Sequence, residues 1–395
     1  MTASPLREVA GVFGLLGLSS FGGPTAHLAY FREEFVHRRN WLPERHYAEL
    51  VALSQFLPGP GSSQVGMALG YHRAGWAGMF LAWLMFTLPS MTLLMVFALL
   101  LGVAGVDGDA GWVRGLLAAA VAVVFHAIAG MTRGMAAGRI TATIAVAAGL
   151  AVLLLPSPTT HVIVIVLAGL LGMILPGLSD SANADESTDR QLRPVSFRAA
   201  VTSLVLFLGL LTGLWFANAL LSGFPWLDRI AAYYQAGALV FGGGHVVLPL
   251  LEQLVVAPGW VDQNEFLAGY SAAQAVPGPM FTVASYLGVV DSGVPGGLVT
   301  TVMIFLPSFL LVPAGLHFWN RWRSNTRLRR AFTAINAAVV GLLGAAFYDP
   351  VLTHGITGIP SLAIAVLCWL GLAKWQAPPW AVAAFAAVAG LVLLR

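Results

Sequence analysis

Long apolar runs dominate the chain, broken by short polar stretches. They lack the alternation of a membrane barrel's ten-residue strands and are of helical, bilayer-crossing length, about 20 residues each. Around a dozen such segments are visible, which predicts an all-α, polytopic helical membrane protein. Runs over 111–130, 140–155 and 160–178 follow one Leu-Pro-Ser word, and runs over 331–348, 356–372 and 379–394 follow a second. Between the two sets lie a polar stretch, 179–194, and one unpaired apolar segment, 197–221.

Some runs interrupt themselves. Residues 56–64 read FLPGPGSSQ, two prolines and two glycines in a segment apolar enough for lipid. This break belongs to an internal duplication. SSFGGPTAH (19–27) is echoed by LVFGGGHVV (239–247), NWL (40–42) by GWV (259–261), SQFLPGPGSS (54–63) by AQAVPGPMFT (273–282), and LPS (88–90) by LPS (306–308). The offset drifts only from 220 to 218 residues. The expected organisation is an N-terminal repeat over 1–178, a polar loop and linker helix over 179–222, and a C-terminal repeat over 223–395.

Loop charge predicts how the repeats are oriented, because Lys- and Arg-rich loops stay cytoplasmic. The loop after the first FGG word carries Arg32, Arg38, Arg39 and Arg45, whereas its counterpart has acids and no base. After the LPS segments the signs reverse, with Asp107 and Asp109 in the first half against the arginine-rich NRWRSNTRLRR in the second. The halves are therefore expected to be inverted in the membrane. Residues 48–71 would enter and leave on one side, as broken re-entrant helices do, because His72 and Arg73 share the charge of the loop before them.

Composition agrees: 58% of the 395 residues are hydrophobic and 9% charged, with mean hydropathy +0.81. The first residues lack the pattern of a cleaved signal peptide. Cys368 is the single cysteine, which excludes a disulfide framework and a Cys-based metal site. There is no phosphate-binding loop, so transport would be secondary. No cofactor or nucleic-acid partner is implied, the lipid bilayer is the expected surrounding, and a homodimer is compatible with the chain.

Irregular backbone at membrane depth needs protein or a water-filled cavity around it. Pro58 and Pro60 have no N–H to donate, so the incoming helix is expected to end near Phe56; Gly59 and Gly61 permit a tight turn. Ser62 would cap an outgoing half-helix and leave the N–H groups of about residues 63–66 open, an anion site suited to a tetrahedral oxyanion. Ser63, Gln64 and Gln55 add side-chain donors, and the second copy offers Gln274, Pro277, Gly278, Pro279 and Thr282. Two half-helices meeting near mid-membrane is an arrangement of inverted-repeat carriers. Gly22, Gly23, Gly242 and Gly243 permit either close helix packing or a second backbone break lining the site. His27 and His245 are candidates for a coupled proton or for hydrogen-bonded packing, while Glu33, Glu34 and Arg73 are candidates for coupling or gating.

The ordered words FGG(P/G), YFREEFVHRRNWL, LVALSQFLPGPGSSQVGMALGYHRAGW and LPS resemble the chromate ion transporter (CHR) family in its long two-domain form. The resemblance covers nearly the whole chain and is dense from Gly14 to Ser90. It implies export of chromate across a bacterial-type plasma membrane and chromate resistance, with sulfate as a chemical mimic; coupling to protons would be helpful rather than obligatory, because the membrane potential already favours export of a dianion. A sulfate-like oxyanion carrier and an anion channel are the competing readings, and an enzyme is not expected. The second half lacks the EEF acids and the GYHRAGW tail, so the halves are not expected to be equivalent.

Overall fold

The computed structural model describes residues 4–104, 110–155, 157–175, 178, 192–221, 224–241, 247–323 and 325–394. All regular structure among them is helical. In chain order the helices are α1 (Pro5–Ser19), α2 (Gly23–Arg32, running on as a π-helical turn Glu33–Arg38), α3 (Glu44–Phe56), α4 (Gly61–Ala104), α5 (Gly111–Met135), α6 (Arg139–Leu154), α7 (Pro158–Ile174), α8 (Phe197–Leu220), α9 (Pro225–Leu239), α10 (Val247–Val255), α11 (Gln263–Ala275), α12 (Val283–Arg323), α13 (Thr326–Ala346), the single turn α14 (Thr353–Gly355), α15 (Ile359–Ala373) and α16 (Pro379–Leu393). Among the described residues, five stretches are long and apolar enough to cross a membrane. The fold is that of an all-α polytopic membrane protein, and the apolar runs expected after each LPS word are α5 to α7 and α13 to α16.

α4 and α12 are each two helices joined by a sharp turn. In α4 the turn is Ala74 (φ −140°, ψ 19°) and Gly75 (φ 68°, ψ −152°); in α12 it is Ser292 (φ −139°, ψ 19°) and Gly293 (φ 69°, ψ −167°). Each therefore has a short limb (61–73 and 283–291) and a long limb (76–104 and 294–323). The second half lacks the GYHRAGW words, yet the same turn stands at the matched place. Only a residue free to take positive φ is required there, and glycine supplies it in both sequences. The limbs touch through Gly70 with Gly78 and Gly288 with Gly296, where a Cβ on any of the four would overlap the opposite backbone carbonyl.

Each half starts as helical hairpins whose ends are tied together. In the first half, Glu8 at the start of α1 accepts from Trp41 Nε1 (3.0 Å), ahead of α3, and from Arg73 Nη2 (2.6 Å), at the end of the short limb. Arg73 also lies 5.4 Å over the Trp41 ring. In the second half, Arg229 at the start of α9 donates from Nη2 to Asp291 Oδ1 (2.6 Å), at the end of its short limb, and lies 5.0 Å over Trp260. Trp260 stands at Trp41's place in the repeat and Asp291 at Arg73's, so the clasp recurs with its charges exchanged.

The two clasps sit at opposite ends of the long limb of α12. Its first turn follows Gly293, next to Asp291, whereas His317 near its far end contacts the carbonyl of Val195 (2.8 Å), and Pro194 accepts from Tyr71 (3.2 Å) beside the first clasp. The 24 residues between Gly293 and His317 correspond to about 36 Å of helix. Beyond the hairpins the halves interlock, with α5 packed on α15 and α16, and α13 on α6 and α7. Small residues allow this approach: a Cβ on Gly115 would overlap the Ala386 carbonyl, and one on Gly341 the Ala145 carbonyl.

Candidate functional site

The hairpin tips of one half meet the tips of the other. α3 ends at Phe56 and Leu57 turns extended (φ −85°, ψ 142°), as Pro58 requires of its predecessor. Gly59 then takes φ +118°, and its matched residue Gly278 takes φ +106°. Gly59 N donates to Val240 O (2.6 Å), just before the second FGG word, and Gly278 N donates to Ser20 O (2.9 Å), just before the first. Each Pro-Gly-Pro tip, Pro58 to Pro60 or Pro277 to Pro279, thus pairs with the FGG tip of the opposite repeat. The LPS words explain themselves at the same place. A Cβ on Gly59 would lie 2.6 Å from Ser308 Oγ, and one on Gly278 2.7 Å from Ser90 Oγ.

The first FGG word is a backbone break, because α1 stops at Ser19, Gly22 and Gly23 take φ of 101° and 76°, and α2 starts at Gly23. Gly242, Gly243 and His245 lie outside the described residues.

Ser62 does not cap the outgoing helix, contrary to expectation. The helix starts two residues sooner, at Gly61, and the Pro60 carbonyl already accepts from Gln64 N (3.0 Å). Pro60 occupies the cap position, so the open N–H groups are those of Gly61, Ser62 and Ser63 instead of 63–66. Freed from capping, the Ser62 hydroxyl faces His27 Nδ1 (3.2 Å). His27 Nε2 lies 3.1 Å from the Ser20 carbonyl, which only accepts, so neutral His27 carries its proton on Nε2 and accepts from Ser62. In the second copy, Thr282 Oγ1 donates to Pro279 O (2.6 Å) within the short 3₁₀ turn that precedes α12.

The centre between the tips is buried yet polar. His27, Ser62, Ser63 and Gln64 are each at most 3% exposed. Gln64 Nε2 donates to Pro58 O (2.6 Å) and to Ser308 Oγ of the other half (3.2 Å). Among the described residues, Ser20 Oγ, Ser63 Oγ, Gln64 Oε1 and Thr87 Oγ1 have no hydrogen-bond partner there. Unpaired buried polar atoms are uncommon and costly, and a cluster of them beside open N–H groups suits a polar guest.

The remaining predicted residues lie elsewhere. Glu34 is buried and paired with Arg38 (2.7 Å) and Arg39 (2.6 Å), and Glu33 is exposed. Arg73 belongs to the first clasp. Gln274 donates to Met280 Sδ (2.6 Å). Gln55, its counterpart, lines a cavity of about 870 Å³ together with Ala52, Phe56, Arg139 and Arg329. The two sides differ at one more matched pair: Ser271 bonds the Leu116 carbonyl (2.9 Å) and joins α11 to α5, whereas Ala52 faces the cavity. Sequence reasoning missed Glu8, Arg229, Asp291 and the two LPS serines as contact residues. The repeated Trp41/Trp260 and Ser90/Ser308 words were the signal for part of this set.

Discontinuous helices whose tips meet inside a helical bundle are the core of this polytopic membrane protein. The chain belongs to the chromate transporter family, whose model matches residues 7–173 and 227–391. It is 29% identical over 346 residues to the chromate transport protein of Pseudomonas aeruginosa, covering 84% of this chain and 78% of that protein. It is 27% identical over 396 residues to the chromate transport protein of Cupriavidus metallidurans, covering 98% and 93%. A probable chromate transport protein of Synechococcus elongatus matches at 27% over 355 residues, 87% of this chain and 84% of that protein. No solved structure matches.

Proposed function

We propose that this protein is a secondary transporter that exports chromate, a tetrahedral oxyanion, across a bacterial-type plasma membrane and so confers chromate resistance. The two repeats lie inverted in the bilayer and expose the site alternately to each face, with the linker helix α8 restoring the parity of crossings. The reciprocal pairing of Gly59 with Val240 and of Gly278 with Ser20 carries this reading. It gathers both helix breaks and the open N–H groups of residues 61–63 into one buried centre, where Ser62, Ser63 and Gln64 add donors. A helix N-terminus carries about half a positive charge, enough to favour an anion without a buried arginine.

The asymmetry between the sides supports a conformer loaded from the cytoplasm. The cavity beside Gln55 carries arginines, as a cytoplasmic face does, while the equivalent place at Gln274 and Ser271 is packed. Moving a dianion out of a cell that is negative inside is favoured by about 2.3 kcal/mol per charge per 100 mV, so no nucleotide is needed. His27, between Ser20 and Ser62, is the proton-carrying candidate; sulfate is a competing substrate of the same shape and charge.

Chromate uptake into everted vesicles, with pH gradient and potential collapsed separately, tests the assignment. Transport driven by potential and competed by sulfate is expected; absence of chromate flux, or single-channel currents in place of carrier kinetics, would reject it. Ser62→Ala with Ser63→Ala is expected to weaken chromate binding while leaving the protein inserted in the membrane, and unchanged efflux would remove these two residues from the site.

A further inference from the structure

Apart from the tip centre, the helices enclose a space of about 870 Å³ between α3, α6 and α13. Two cations line it, Arg139 in the first turn of α6 and Arg329 on α13, and among its described lining residues there is no acid. Thr141, Thr333 and Asn336 add polar groups, and Asn336 Oδ1 is buried without a partner among the described residues. Arg139 is exposed and Arg329 half-buried, so the charge is spread from the mouth inward. Both stand at helix starts within arginine-bearing stretches whose charge is of the cytoplasmic kind.

The floor of the cavity is aromatic and leads to the tips. Phe56 and Phe332 meet with ring centroids 3.7 Å apart, and Phe332 lies 6.0 Å from Phe241. Phe241 follows Val240, the residue whose carbonyl accepts from Gly59. One wall carries Gln55, on the last turn before the Pro-Gly-Pro break. An anion resting against the guanidinium groups thus has Gln55 beside it and, on the described side facing the tips, the Phe56–Phe332 pair.

We propose that this cavity is a recruitment site for dianionic tetrahedral oxyanions, in which Arg139 and Arg329 capture the substrate from the cytoplasm, Gln55 receives it, and the Phe56–Phe332 pair closes the passage to the tips. The proposal rests on the reading of the protein as an oxyanion exporter. Guanidinium suits this role because it stays charged and presents paired donors to adjacent oxygens. A cleft lined by one sign of charge concentrates counter-ions and raises capture rates by about 10-fold to 1,000-fold, an effect that salt suppresses. The site therefore governs loading and leaves the translocation step to the tips.

The test is the concentration and salt dependence of chromate uptake into everted vesicles, whose exposed face is the cytoplasmic one. Arg139→Gln with Arg329→Gln is expected to raise the half-saturating chromate concentration about tenfold at low ionic strength, the lower end of electrostatic capture. Maximal rate should stay within about twofold, and the difference should shrink at high salt because screening removes the contribution in the wild type. The double Arg→Lys variant is expected to keep the salt response, since the charge remains. Wild-type half-saturation and wild-type salt response in the double Gln variant would overturn the proposal while leaving chromate transport itself intact. Lack of flux in the wild type would instead reject the functional reading. Should the double Gln variant fail to insert, Arg139→Gln alone, at an exposed helix start, carries the same test: a higher half-saturation at low salt supports the site, and unchanged values overturn it.

Discussion

The two clasps are alike in plan and unequal in burial, so breaking the second should destabilise the protein more than breaking the first. The side chains of Arg229 and Asp291 are 15% and 7% exposed, against 40% and 21% for Arg73 and Glu8. Removing one partner of a nearly buried pair strands the other charge, at a cost of about 3 kcal/mol. For the half-open pair, solvent screening reduces the figure to about 1 kcal/mol or less. Asp291→Asn and Arg229→Gln are each expected to lose the larger amount, and the double variant little more than either single one. The resulting coupling of about 2–3 kcal/mol would move the folded-to-unfolded ratio by a factor of about 30 to 150, at 1.4 kcal/mol per tenfold. Glu8→Gln and Arg73→Gln should show a coupling near the smaller value. The assay is denaturant unfolding in mixed micelles for the four members of each cycle. Additive single costs at Arg229 and Asp291, agreeing within about 0.5 kcal/mol, would refute the reasoning. So would a Glu8→Gln cost equal to that of Asp291→Asn.

Gly59→Ala and Gly278→Ala are expected to abolish chromate uptake, since positive φ costs an L-residue about 1–2 kcal/mol and the new Cβ meets a serine of the opposite repeat. Adding Ser308→Ala to Gly59→Ala should relieve only the steric part, so partial recovery of uptake checks the cause. His27→Leu should leave the Ser20 carbonyl and the Ser62 hydroxyl unpaired, at about 1–3 kcal/mol each, read as a lower unfolding midpoint. His27→Gln should transport with a response to membrane potential but not to a pH gradient; a retained pH response would release His27 from proton coupling.

Much of the plan was legible in the primary structure because its demands are local. Proline lacks a donor, so α3 had to end near Phe56, and glycine alone takes the conformation of residues 59 and 278 without strain. Other details depended on neighbours distant in the chain. Ser62 looked like a helix cap from its own segment, yet Pro60 already holds that position and His27, 35 residues away, takes the hydroxyl. The arginines and acids of the loops read as orientation signals, while their pairing into two clasps of exchanged charge depended on which helix ends meet.

The sequence by itself determined that the chain is a helical membrane protein, that it is duplicated, and where its helices break. Those properties follow from hydropathy over one bilayer thickness and from the backbone chemistry of proline and glycine. Only the tertiary structure decided that each Pro-Gly-Pro tip bonds the residue just before the opposite FGG word, that Gln55 faces an open cavity while Gln274 bonds Met280, and that Arg139 and Arg329 share one space. These are choices among partners about 180 to 260 residues apart, made by the close packing of small residues between helices, and no local propensity encodes them.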